Sequence, residues 1–303
     1  MVLTYRFEDF EKDESPVAQH FKKYRKEMLY LRNFSERTLV GYTEVFFRWK
    51  KYVGEMPTAD NLSDFVIGMR EAGLNTTTCN ISIRAFNAFL SWLKEKGLVG
   101  DIRLKKLPEE KKKMRTFGDD DLRKLLAFKP KGRNEQRIFA AICMIADTGL
   151  RITECLTVEK DRVDFDNLLI TVMGKGKKER VVPMSLELRR VLFRYLTKHR
   201  FSKFETKYFF CTVNGNRMSY RNAYRDLEAI FAKVGIDKAN IDGFFHSFRR
   251  GFARNYLKNG GNQIYLMHAM GHTTLEMTQK YVEVENEDLK QVHQQVSIMS
   301  RLR

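Results

Sequence analysis

Six side chains in the last half of the chain could carry chemistry. Arg151 lies in Thr148-Gly149-Leu150-Arg151-Ile152-Thr153-Glu154, and Lys175 in Gly174-Lys175-Gly176-Lys177-Lys178. His246 and Arg249 lie in His246-Ser247-Phe248-Arg249-Arg250, His272 follows Gly271, and Tyr281 comes nine residues later. On a helix His246 and Arg249 stand one turn apart and share a face. An arginine offers a planar, permanently charged fork that fits phosphate oxygens. A tyrosine hydroxyl can act as a nucleophile and hold a phosphoryl group as an ester. Phosphoryl transfer is largely positioning and charge stabilisation, which fixed cations can supply. Taken singly, each residue has an ordinary reading: a lone arginine is a solvated charge, a lone tyrosine is core or rim. Together, two arginines, two histidines and a hairpin lysine are enough to surround one phosphodiester.

Other chemistries fit poorly. Gly174-Lys175-Gly176-Lys177-Lys178-Glu179 lacks the spacing of a nucleotide-binding P-loop, and no GxSxG, HExxH or GxGxxG is present. His268 and His272 are four apart, but Gly271 interrupts the helix that would align them and no acidic or cysteine ligand adjoins, so no metal is expected. Cys79, Cys143, Cys155 and Cys211 are scattered without a CxxC pair and read as reduced packing residues.

The elements that must position these residues fall into two groups. A chain of 303 residues suggests two domains, and 43% hydrophobic content with 23 Phe is enough for real cores. The net charge of +17 argues for a polyanionic partner. It is uneven: +2 over residues 1–100, +4 over 101–116 and +11 over 117–303. The stretch from Arg103 to Arg115, with Pro108 and dense charge, reads as a linker. The division is therefore 1–102, a linker over 103–115, and 116–303.

In the first domain, apolar spacing predicts four helices: one carrying Phe21, Tyr24, Met28 and Leu31; one capped by Ser35 with Leu39, Tyr42, Phe46 and Trp49; one with Leu62, Phe65, Val66 and Met69 ending at Gly73; and one opening at Asn75 with Ile83, Phe86, Leu90 and Leu93. In the second, Thr116 is the expected cap of an acidic-start helix, and another helix runs from Glu135 to Asp147 and ends at Thr148-Gly149. Val163 to Met173 and Arg180 to Pro183 form an antiparallel hairpin with a basic tip; Tyr208 to Phe210 is a candidate third strand. The fold class is mainly α with a small antiparallel β-sheet. No apolar run approaches the roughly 18 residues of a membrane span. The acidic N-terminus, Met1 to Pro16, lacks a signal-peptide core, so a cytoplasmic protein is expected.

TGLRITE, GKGKKERVVPM, HSFRR, MGH and the following Tyr281 resemble the tyrosine recombinase (phage integrase/Xer-like) family, in that family's order. The first domain resembles it more loosely, through SERTLVGY and NTTTCNISIRAFNAFLSWL. The resemblance implies a helical core-binding domain and a mixed α/β catalytic domain that clamp duplex DNA, the linker crossing between them. It implies that Arg151 and Arg249 hold the scissile phosphate, that His246 and His272 add hydrogen bonds and manage the nucleophile's proton, and that Lys175 protonates the leaving 5′ oxygen. Tyr281 then forms a 3′-phosphotyrosyl link. Glu154 orients the region of Arg151. Arg84, Lys111, Lys112, Lys113, Lys177 and Lys178 are further candidate DNA contacts. Neither ATP nor metal is implied. Arg250 stands where His is common and Met270 where Leu is common.

The family's working form implies a homotetramer pairing two sites through a Holliday junction. A C-terminal tail, with Leu289, Val292, Val296 and Met299 on one face, would dock on the neighbour or pack on its own domain. The NGGNQIYLMHAMGHTTLEMTQKY stretch looks like that of mobile-element integrases and transposases, with chromosome- or plasmid-dimer resolution as the close alternative. A catalytically silent DNA-binding protein and a type IB topoisomerase are the other readings. The length leaves no room for the arm-type DNA-binding domain of larger phage integrases, so an accessory protein could take part.

Overall fold

A computed structural model describes residues 7–109, 115–174 and 178–272, together with residues 274 and 297. The chain forms two compact units, Met1–Lys112 and Lys113–Arg303. Among the described residues no helix is long and apolar enough to cross a membrane.

The first unit is helical: α1 (Phe7–Lys12), α2 (Pro16–Tyr30), α3 (Glu36–Tyr52), α4 (Leu62–Glu71) and α5 (Thr76–Glu95). Ser35 caps α3 by accepting from the Thr38 amide at 3.2 Å, and Asn75 caps α5 by accepting from Thr78 at 2.8 Å. Aromatic rings fill the space between the helices. Phe21 stacks on Phe46 at 4.2 Å and Trp49 on Phe86 at 4.3 Å. The short helix α1 was not anticipated; its Phe10 seats edge-on against Phe21 and Phe46 and is fully buried. Leu31 was expected on the buried face of α2, but it lies past the helix end and is 77% exposed. The chain turns there, with Asn33 in a left-handed conformation, φ 54°.

Residues 104–107, within the stretch read as linker, are strapped to α5. Asn80 and Asn87, two turns apart, pair their amides with the backbone of Leu107 and Leu104, each through two hydrogen bonds of 2.8–3.0 Å. Leu104 is buried in the first core.

The second unit contains α6 (Asp119–Ala127), α7 (Arg133–Thr148), α8 (Ile152–Thr157), β1 (Val163–Asp164), β2 (Leu169–Met173), β3 (Glu179–Pro183), α9 (Leu186–Arg194) continued by a wider turn over Tyr195–His199, α10 (Tyr220–Val234), α11 (Phe244–Lys258) and α12 (Gln263–Met270). Helix α7 is the central element: Ile138, Ala141, Met144 and Ile145 are fully buried. The sheet is antiparallel in the order β1-β2-β3. β2 and β3 pair from Leu169↔Pro183 to Met173↔Glu179, and the Gly174 amide donates to the Lys178 carbonyl at 2.8 Å. Two expectations fail. Gly118 rather than Thr116 precedes the first helix, so the acidic run Asp119-Asp120-Asp121 is itself the first turn, where it suits the helix dipole. Tyr208 to Phe210 is no strand; Tyr208 makes an isolated bridge to Glu159, while Phe209 and Phe210 are buried in the core. All four cysteines are buried outside disulfides, and burial pushes the Cys143 thiol up to about 12.

Candidate active site

Two helix-stop turns launch the candidate residues. Helix α7 ends at Gly149, φ +67°, whose amide donates to Ile145. An added Cβ there would lie 2.4 Å from the Phe252 ring. The chain then turns into α8, with Arg151 as its first flanking residue. Helix α12 ends likewise at Gly271, φ +64°: its amide donates to His268 and that of His272 to Met267, a Schellman turn. A Cβ on Gly271 would lie 2.9 Å from Arg180 Nη1. Each glycine thus both reverses the helix and admits a side chain from another element.

Glu154 is the anionic centre. Its side chain is 5% exposed and reaches back to the Arg151 amide at 2.9 Å, as in a capping box. It also accepts from Arg151 Nη1 at 2.9 Å and from Arg180 Nη1 and Nη2 at 3.1 and 2.8 Å. Burial alone would raise this carboxyl, but the bonds from Arg180 and Arg151 prevail and hold it below its usual value.

Arg249, on α11, is 2% exposed. Its Nη1 donates to the Gly149 carbonyl at 2.5 Å, and its Nη2 donates to the Met270 carbonyl at 2.7 Å and to His272 Nε2 at 2.8 Å. A guanidinium can only donate, so His272 Nε2 accepts and the neutral ring carries its proton on Nδ1. Desolvation, followed by Arg249, Arg151 and Arg180, lowers His272 to about 4. Arg151 Nη1 also reaches the Met270 carbonyl, at 3.4 Å.

His246 lies one turn before Arg249 on α11 and is exposed. Desolvation, then Arg250, Arg249 and Arg151, lower its pKa. Both histidines are therefore neutral at pH 7. Arg151 and Arg180 hold the Glu154 carboxylate between them, and Arg249 meets Arg151 on the Met270 carbonyl, which leaves a net charge of +2 from these four groups. The charge of Arg151 and Arg249 favours an oxyanion that can accept several hydrogen bonds.

The structure thus gathers Arg151, Glu154, Arg249 and His272, with His246 beside them. Lys178 is exposed at the hairpin, and Arg84 is exposed on α5 in the first unit. Lys175, Lys177, Tyr281, Lys111, Lys112 and Lys113 lie outside the described residues. Sequence reasoning missed Arg180 and the carbonyls of Gly149, Ala269 and Met270. Arg180 had a signal. Strand alternation puts it on the same side as Val182, which is fully buried, whereas Val181 is 53% exposed. An arginine on the inward side of a strand calls for a carboxylate. The carbonyls carry no side-chain signal at all.

Residues 115–288 match the model of the phage integrase family. "Tyrosine recombinase XerA" of Thermococcus kodakarensis is 25% identical over 292 residues, 96% of this chain and 98% of that protein. "Tyrosine recombinase XerD" of Lacticaseibacillus casei is 28% identical over 221 residues, 70% of this chain and 73% of that one. The Tn1549 transposon integrase, solved in complex with a circular intermediate DNA, superposes with a TM-score of 0.74 at 19% identity, covering 94% of this chain and 99% of that one. That likeness concerns the fold. The chain belongs to the phage integrase family of tyrosine recombinases. It is an enzyme of the tyrosine-type site-specific recombinase class.

Proposed function

We propose that this recombinase cuts and rejoins duplex DNA at paired sites through a 3′-phosphotyrosyl intermediate, in the integration or excision of a mobile element. The observation that carries the reading is that Arg151 and Arg249 meet on the Met270 carbonyl and Arg249 also bonds His272, groups drawn from three separate stretches of sequence.

In this mechanism the scissile phosphate sits against Arg151 and Arg249, whose charge matches the charge of the pentavalent transition state. The Tyr281 oxygen attacks phosphorus, a P–O bond to Tyr281 forms, and the bond to the 5′ oxygen breaks. Lys175 gives a proton to the departing 5′ oxygen. The tyrosine proton passes toward His246, whose ring is neutral and able to accept it, while His272 stays bonded to Arg249. The phosphodiester energy is kept in the covalent link, and attack by a 5′ hydroxyl from the partner duplex reverses the step. Two such exchanges, in a tetramer, pass through a Holliday junction.

The segment from Asn259 to Tyr281 supports the mobile-element role. The near full-length match to proteins named XerA favours a second reading, chromosome- or plasmid-dimer resolution. Mapping cleavage on the DNA that flanks the gene separates the two, since element ends and a resolution site are different sequences. For the chemistry, a nicked duplex that loses its 5′ fragment should trap an adduct that survives denaturation. Tyr281→Phe should abolish the adduct and leave DNA binding nearly intact; an undiminished adduct in that variant would remove Tyr281 from the mechanism.

A further inference from the structure

Arg180 is the one guanidinium of the cluster with no part in the chemistry above. It is 14% exposed and belongs to β3, the strand that leaves the basic hairpin. Its guanidinium bonds two other elements. Nη1 and Nη2 take both oxygens of Glu154 in a fork, at 3.1 and 2.8 Å, and Nε donates to the Ala269 carbonyl at 2.9 Å. The next carbonyl, that of Met270, receives Arg249 and Arg151, and His272 follows. Gly271 is bare where a Cβ would press on this guanidinium. Arg180 therefore joins the hairpin strand, the start of α8 and the end of α12 at one point.

We infer that Arg180 is a positioning residue for strand cleavage: it divides the Glu154 carboxylate with Arg151 and pins the Ala269–His272 turn, so that Arg151, Arg249 and His272 keep their places and charge for the phosphate. This rests on the recombinase reading of the site. Without the fork, Glu154 is left buried with Arg151 alone. A buried carboxylate draws its remaining partner closer and cancels more of that partner's charge. Arg151 would then offer less to a phosphate. The Ala269 carbonyl would lose its donor, and the turn that carries His272 would loosen. A guanidinium suits the task because a lysine could not grip both carboxylate oxygens and a third acceptor in one plane.

The test uses the full chain, a nicked duplex carrying the cleavage site, and two readings, binding and covalent adduct formation. Arg180→Ala should bind the duplex as tightly as wild type but form adduct about 10²-fold more slowly, the scale of a misplaced catalytic group. Adding Glu154→Gln to Arg180→Ala should recover the larger part of that loss. The glutamine oxygen can still accept from the Arg151 amide, and the unbalanced charge is gone. A residue that merely fills space would show no such recovery. Arg180→Lys, which keeps the charge without the fork, should fall between wild type and Arg180→Ala. A double variant no faster than Arg180→Ala overturns the inference, as does wild-type cleavage by Arg180→Ala. If Arg180→Ala does not fold, wild-type cleavage by Arg180→Lys overturns it.

A second readout needs no DNA. Among the described residues, the charged groups around the His272 ring include Arg249, Arg151, Arg180 and Glu154, from α11, the start of α8, and β3. Loss of Arg180 removes one cation and leaves Glu154 less compensated. The ring midpoint, followed by NMR, should rise from about 4 toward the ordinary histidine value; an unmoved midpoint counts against the inference. Failure of the wild type to form any adduct would instead strike the recombinase reading, leaving the ring titration to judge Arg180.

Discussion

Within the candidate site, the polar side chains are held mostly by one another and by backbone carbonyls. Arg249 shows this best: it is buried, yet two of its bonds end on carbonyls that helix ends would otherwise leave unsatisfied. That arrangement fixes the protonation of His272, because a ring nitrogen that accepts from a guanidinium cannot also hold a proton. The folded value of about 4 lies below the ordinary value near 6.5. As pH falls through that window the unfolded chain binds the proton first. His272 therefore lowers the stability of the folded state progressively from about pH 6.5 to about pH 4, and the loss is complete below its folded value. Thermal melts between pH 7 and 4.5 should fall less in His272→Gln than in wild type. Equal slopes would show that the ring titrates normally.

At the scale of elements, the two helix-stop glycines decide where the arginine and histidine motifs stand. Gly149 is the more demanding, since a side chain there meets both a left-handed backbone and the Phe252 ring at 2.4 Å. Gly149→Ala should cost about 1–3 kcal/mol from backbone strain and overpacking, read as a lower urea midpoint with unchanged m. It should also slow cleavage beyond that loss, because the Gly149 carbonyl that holds Arg249 shifts with the turn. A variant as stable and active as wild type would mean that Phe252 yields freely. The caps at Ser35 and Asn75 and the stop at Gly149 were legible because each depends on a local residue type. Phe10 and α1 were not, since a helix of six residues is held by packing alone.

For the whole molecule, charge and assembly set the expectations. Most of the +17 lies beyond residue 100, so DNA binding should weaken steeply with salt, with a slope of about −0.9 per phosphate neutralised. Neutralising Lys111, Lys112 and Lys113 together should lower affinity for any sequence alike and flatten the slope. An unchanged slope would place these lysines off the DNA backbone. The apolar positions Leu289, Val292, Val296 and Met299 lie outside the described residues, and their period still requires a surface to bury against. Deleting residues 287–303 should leave a folded protein that binds one site but fails to pair two, with poorly regulated cleavage, as read by gel shift and analytical ultracentrifugation on one-site and two-site DNA. A two-site tetramer formed by the truncated chain would put the tail on its own domain.

The amino-acid sequence by itself determined the family, the mainly α fold with its small antiparallel sheet, the N-caps at Ser35 and Asn75, and the residues that gather as Arg151, Glu154, Arg249 and His272. Those features are written in residue type, period and local spacing. Only the tertiary structure decided that Arg180 shares Glu154, that the carbonyls of Gly149, Ala269 and Met270 hold the guanidinium groups, and that Leu104 belongs to the first core. It also decided that Tyr208 to Phe210 bridges without forming a strand. The reason is the same in each case. A backbone carbonyl looks alike at every residue, and an ion pair between positions 26 apart depends on where two elements end in space. No local pattern in the chain encodes that meeting; the packing of the sheet's end against α8 and α12 creates it.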